Sequence, residues 1–171
     1  MPSRRPPRHP AGRRCVPRGV ATRPGTDQFF VTSTTDGTVF RGTLGRERTR
    51  VFLAPGARGR TNAVGLKATA DRLIVAGEVT NTVFVYRLPG GQLLRRFSTG
   101  SGGLVNDVAL GLNGDAYLTD SIKGALFRLP ARSLQRSTGV VTKLRPFVRL
   151  ADSPTRATRT ASSRPVSAIC S

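Results

Sequence analysis

The chain has no tryptophan, one histidine, one methionine and two cysteines among 171 residues. The single histidine, His9, lies in an Arg/Pro-rich N-terminal stretch, so a Ser-His-Asp or Cys-His constellation lacks a placeable base. Cys15 and Cys170 stand near opposite ends and form no metal-type pair or disulfide framework; two free thiols are expected, with a disulfide that ties the ends together as the alternative. No apolar run approaches the length of a membrane span. The basic N-terminus lacks the apolar stretch that completes a secretory signal, so the sequence as written reads as cytoplasmic, and as secreted if its start lies upstream. No Gly-rich phosphate loop precedes a helical pattern, and no His/Cys/Asp/Glu cluster has transition-metal spacing.

Acidic residues are scarce as well: nine against 28 basic ones, for a formal charge of +19. Of the basic residues only Lys67, Lys123 and Lys143 are lysines. The arginines are scattered through turns and both ends, alongside abundant Ala, Gly, Pro and Thr, which reads as compositional bias. No zinc-finger spacing, helix-turn-helix pattern or RNP-type aromatic platform accompanies them, so no specific nucleic-acid partner is expected. Nonspecific attraction to phosphate follows from the charge alone.

What the sequence does have is a repeat. Phe29–Gly42 (FFVTSTTDGTVFRG), Leu73–Leu88 (LIVAGEVTNTVFVYRL) and Ala116–Leu129 (AYLTDSIKGALFRL) each run as apolar strand, polar turn, apolar strand. Val39, Val83 and Leu126 stand 44 and 43 residues apart. An inner strand precedes each hairpin: Gly19–Thr22, Ala63–Ala68 and Asn106–Leu110. A fourth strand follows, carrying Phe52, Phe97 or Phe147. The last two are 50 residues apart, which places an insertion near Pro130–Val140. The apolar runs are too short, too β-branched and too often broken by glycine for amphipathic helices. Asp36-Gly37, Thr80-Asn81 and Lys123-Gly124 are the hairpin turns, because Gly and Asn tolerate positive φ.

This pattern predicts an all-β fold, an incomplete β-propeller of about three four-stranded blades, near 17–57, 58–102 and 103–150. Closed propellers have about four to eight blades, so three leave open edges and apolar flanks. The sequence reads as a fragment of a longer propeller, with self-association through the open edges and poor folding in isolation as the alternatives. The flanks 1–16 and 151–171 lack apolar periodicity and are expected to be disordered.

Chemistry-bearing residues concentrate at Asn106-Asp107, at the mouth of the third inner strand. Inner strands of a propeller line its central channel, where amide and carboxylate oxygens suit a hard cation or a small ligand. The same two residues equally well cap a turn before the strand. Asp120 aligns with Ser33 and Gly77, a small polar turn position, and Glu78 reads as half of a surface ion pair.

Three segments carry a resemblance: Gly103–Ser121 (GLVNDVALGLNGDAYLTDS), Thr32–Gly42 (TSTTDGTVFRG) and Leu93–Gly103 (LLRRFSTGSGG). Over Pro17–Leu150 the sequence resembles the SMP-30/gluconolactonase/LRE-like family, in its actinobacterial form. The resemblance implies about half of a six-bladed propeller. It also implies hydrolysis of lactones or related esters assisted by a divalent cation, usually calcium, at the channel. Asn106 matches a family residue that meets metal or substrate, and Asp107 follows it. The family's Glu ligand in a Pro-Glu-Gly turn is matched here by Pro17-Arg18-Gly19, a cation in place of a cation ligand. The remaining ligands belong to blades with no counterpart after Leu150. The resemblance therefore implies a lactone-like small-molecule ligand and a calcium-dependent parent activity, with a site too incomplete for this chain to hold calcium or act. The alternative is a non-catalytic propeller module, of the NHL type, that binds a protein or small ligand.

Overall fold

The computed structural model describes residues 15–135 and 139–150. The expectations for the flanking segments and for Cys170 lie outside the described residues; Cys15 is exposed. The first sheet contains β1 (Pro17–Thr22), β2 (Gln28–Ser33), β3 (Val39–Thr43) and β4 (Arg50–Leu53), paired in chain order. A single 3-10 turn at Ala57–Gly59 leads to the second sheet. That sheet contains β5 (Leu66–Ala68), β6 (Arg72–Ala76), β7 (Thr82–Arg87) and β8 (Leu93–Ser98). The third contains β9 (Val105–Leu110), β10 (Ala116–Asp120), β11 (Ala125–Leu129) and β13 (Pro146–Arg149), with α1 (Ala131–Gln135) and β12 (Val141–Lys143) in the chain between β11 and β13. The three sheets do not close into a ring. Among the described residues no helix is long and apolar enough to cross a membrane.

The hairpins turn where the sequence places them. Gly37 and Asn81 take φ of 74° and 53°, and the Asp36 carboxylate accepts the Thr38 N–H at 3.0 Å. Gly37 is required for a second reason: a Cβ there would stand 2.0 Å from the Arg60 carbonyl oxygen. The first inner strand is longer than expected and the second shorter, because Gly65 interrupts the ladder. The Val64 N–H pairs with the Ala76 carbonyl, and the Ala76 N–H with Gly65.

The middle sheet is apolar on both faces, which explains the unbroken runs LIVA and VFVY. Leu73, Val75, Phe84 and Tyr86 pack toward the first sheet with Phe30, Val39 and Leu53. Ile74, Ala76, Val83 and Val85 face the third sheet and meet Val108, Leu118, Ala125 and Phe127. The two cores are thus interfaces between sheets, and each fully buried aliphatic or aromatic side chain contributes about 1.5–3 kcal/mol. The expected outer-strand phenylalanines divide accordingly. Phe97 is buried between sheets, Phe52 is half-buried against Phe30, and Phe147 is 52% exposed on an outward face.

The expectation of three four-stranded units needs one correction. The insertion in the third repeat does not stay with its own sheet: β12 pairs in parallel with β8, making the second sheet five-stranded. Leu134 of α1 is buried, the Arg72 guanidinium donates to its carbonyl, and Arg95 donates to Ser133 O and Thr142 Oγ1. The insertion covers an edge that would otherwise be open to pairing.

Asp115 fastens the third sheet. Its carboxylate accepts the Ala131 N–H at 2.8 Å, the Arg128 guanidinium at 2.6 Å and the Asn113 amide at 3.0 Å. The Ala131 N–H first, then Arg128 and Asn113, hold its carboxyl below the usual aspartate range against the opposing effect of desolvation. A pKa lowered by folding gives stability that is present above the ordinary value of about 3.9 and is lost as pH falls through the native value. Denaturant midpoints measured from pH 7 down to pH 2 are expected to drop less steeply in Asp115→Asn than in the wild type. Parallel pH profiles overturn this assignment.

Candidate functional site

The inner strands β1, β5 and β9 stand side by side, and glycine sets how closely they approach. A Cβ on Gly19 would meet the Val64 carbonyl oxygen at 2.3 Å. One on Gly65 would meet Asp107 Oδ1 at 2.5 Å and the Asn106 carbonyl oxygen at 2.6 Å. The Thr32 hydroxyl accepts the Gly19 N–H at 2.9 Å and donates to the Val64 carbonyl, and the Gly65 N–H donates to the Asn106 carbonyl at 3.0 Å. Gly19, Gly65 and Asp107 occupy the same place in their repeats, as do Arg18, Val64 and Asn106.

A pocket of about 350 Å³ opens at this convergence, and Arg18, Lys67, Asn106 and Asp107 supply its polar groups. The Asn106 amide nitrogen donates to Ser121 Oγ at 3.2 Å, which fixes the side chain and leaves its carbonyl oxygen without a described donor. Asp107 Oδ1 accepts the Val108 N–H at 2.8 Å, and the Asp107 N–H donates to Thr119 Oγ1 at 3.2 Å. Asp107 thus makes a local backbone contact of the kind the capping reading allowed, Asn106 bonds across to Ser121 instead, and both lie within β9 and line the pocket. Arg18, the residue matched to a family carboxylate, shares that pocket. Lys67 was not singled out from sequence; its signal is that it is the one lysine on an inner strand, at a position held by Ala21 and Ala109 in the neighbouring repeats.

Calcium takes about six to eight oxygen ligands, several of them carboxylates. Among the described residues no group of three or more His, Cys, Asp or Glu side chains is placed to hold a metal. Asp107 is the sole carboxylate of the pocket, and Arg18 and Lys67 lie with it. These donors do not fit a calcium ion.

Two other expectations resolve outside the pocket. Asp120 performs turn chemistry and more: buried, it accepts the N–H groups of Leu104 and Lys123 at 2.9 and 3.0 Å. Lys123 Nζ stands 3.9 Å from it and donates to the carbonyls of Thr99 and Gly100, binding β10 to the segment that arrives from β8. Glu78 does not form the expected ion pair with any described residue. Its backbone, at φ 53°, bridges to Val105 between the second and third sheets, so the position serves a chain crossing.

No protein-family model and no curated protein matches this sequence. Solved structures do. Hydrazine synthase of Kuenenia stuttgartiensis aligns over 76% of this chain and 34% of its own, at 12% identity and a TM-score of 0.60. Virginiamycin B lyase from Staphylococcus aureus aligns over 68% and 39%, at 15% identity and 0.56. The WD40 β-propeller domain of Doa1 aligns over 78% and 40%, at 12% identity and 0.60. The fold is a β-propeller arrangement, and the chain spans two fifths or less of the length of these structures. They do not single out the resembled lactonase family.

The close approach of β5 and β9 generates a paired test. Gly65→Ala forces a methyl group against backbone and is expected to cost about 1–3 kcal/mol of stability, as overpacking does. A Cβ on Gly90 meets nothing within 4 Å, and Gly90→Ala is expected to stay within about 0.5 kcal/mol of wild type. Equal thermal midpoints for the two variants overturn the packing argument.

Proposed function

We propose that this chain is a propeller-type binding module whose ligand site is the pocket between β1, β5 and β9. The observation that supports it is the mixture of groups there: donors on Arg18 and Lys67, acceptors on Asn106 and Asp107. Such a set suits a small polar molecule that carries both hydroxyl and carbonyl groups. Sugar lactones and the hydroxy acids they open to belong to that class. In this reading the Asp107 carboxylate accepts a ligand hydroxyl, the Lys67 ammonium and Arg18 guanidinium donate to a carbonyl or carboxylate, and Asn106 orients the ligand through its amide oxygen.

Lactone hydrolysis, which the family resemblance implies, is the second reading. Its support is the Asn106-Asp107 pair at the matching place on an inner strand. It ranks lower because Arg18 stands where a carboxylate is needed, which leaves Asp107 as the one carboxylate among the residues lining the pocket.

Calorimetric titration of the chain with a sugar lactone and with its open-chain hydroxy acid tests the proposal. Saturable binding is expected to weaken about fivefold or more in Asn106→Ala and in Asp107→Ala, each removing one charge-assisted or polar contact. Added calcium is expected to leave it unchanged. Affinity that survives in both variants, or no saturable binding by wild type, overturns the assignment. Ring opening that accelerates on adding calcium favours the second reading.

A further inference from the structure

The link between the first two sheets contains a buried charge with no counter-charge among the described residues. Arg60 is the largest of the fully buried side chains, at 0% exposure. Its Nε donates to the Gly37 carbonyl at 2.6 Å, Nη2 to the Ala54 carbonyl at 2.7 Å, and Nη1 to the Tyr86 hydroxyl. The guanidinium carbon lies 5.4 Å from the centre of the Tyr86 ring. All of these acceptors are neutral, and no described carboxylate lies within ion-pair distance of Arg60. Buried charges are ordinarily paired, because an unpaired one carries its full desolvation cost. Tyr86 is itself buried, and its oxygen accepts from Arg60, so its own O–H is left to donate; no described residue accepts it.

Arg60 and Tyr86 both line a cleft of about 660 Å³ between the outer parts of the first and second sheets. Arg58, Arg95 and Arg96 stand in the same wall, which contains no acidic residue. Neither Arg58 nor Arg96 pairs with a described carboxylate. Burial raises the Tyr86 phenol above its ordinary pKa, while the charges of Arg60, Arg96 and Arg58 pull it down, which puts all three within electrostatic reach of that hydroxyl. A cleft lined by arginines and a phenol, with no counter-charge among the described residues, is complementary to an anion with several oxygens.

We propose that this cleft is an oxyanion site, taking a phosphate or a carboxylate group, separate from the pocket between the inner strands. Arg96 and Arg58 contact the anion, the Tyr86 hydroxyl donates to it, and Arg60 supplies balancing charge from beneath while holding Tyr86 in place. The site is distinct from the Asn106-Asp107 pocket and does not depend on what binds there.

The test is calorimetric titration of the 171-residue chain with inorganic phosphate and, separately, with acetate, at ionic strength held constant by sodium chloride. Saturable binding of at least one is expected, and the one that saturates distinguishes a phosphoryl from a carboxylate ligand. Arg96→Ala and Arg58→Ala are each expected to weaken it about tenfold. Tyr86→Phe, which changes no charge, is expected to weaken it severalfold, with circular dichroism checking that each variant keeps its β-structure. Arg132→Ala removes the same charge from an exposed position on α1, outside the cleft lining, and is expected to change affinity less than about twofold. If neither anion saturates, or if Arg96→Ala and Arg132→Ala weaken binding equally, the attraction is general and the site does not exist.

Discussion

Burial of the middle sheet on both faces is the condition on which the rest of this structure depends. Its strands alternate so that neighbouring residues face different cores: Ile74 and Val83 toward the third sheet, Leu73 and Phe84 toward the first. A sheet of this composition has no side to offer to water, and it is stable only while something apolar stands against each face. The first and third sheets satisfy the middle one and each keep one outward face. Val20 on one and Phe147 and Val148 on the other remain exposed there. Stability in such a stack is nearest-neighbour in kind, a sum of sheets and the interfaces between them.

A second constraint acts at the inner ends. Sheets stacked as wedges converge where their first strands meet, and convergence leaves no room for side chains on the facing positions. Gly19 and Gly65 meet that requirement by having none. At the third repeat the same position is Asp107, which among the described residues has no fourth sheet beside it and is exposed. The feature that makes the candidate pocket polar is therefore tied to the point where the stack of described sheets stops.

Much of the fold was legible in the sequence because period-2 apolar runs and Gly or Asn turns are local signals. The 44-residue spacing converts such signals into architecture, and the hairpins at Gly37 and Asn81 fall where they predict. The candidate site was legible in part: in the sequence Asn106 and Asp107 fall at the mouth of an inner strand and Arg18 in the turn before the first one, and the three share a pocket. Lys67 was hidden in a strand whose neighbours carry alanine at that place. Arg60 was invisible, since an arginine in a Gly-rich linker of a chain this basic gives no sign of burial. The destination of β12 was illegible for a different reason. Three residues, Val141, Thr142 and Lys143, hold no pattern of their own, and their partner strand is chosen by the packing of Leu134 and the reach of Arg95.

That crossing strand also changes how the stack comes apart. In a simple array each repeat is held only by the one beside it, and unravelling proceeds inward from both ends with equal ease. Here a strand from the third repeat is hydrogen-bonded into the second sheet, so those two repeats are laced by backbone as well as by side chains. Among the described residues the first sheet has no such lacing; it is joined by side-chain packing, by Arg60 and by the contact of inner strands. The molecule is thus mechanically lopsided: a two-sheet unit that opens as one, and a single N-terminal sheet that peels from it first, exposing its amide hydrogens to exchange while the others stay protected.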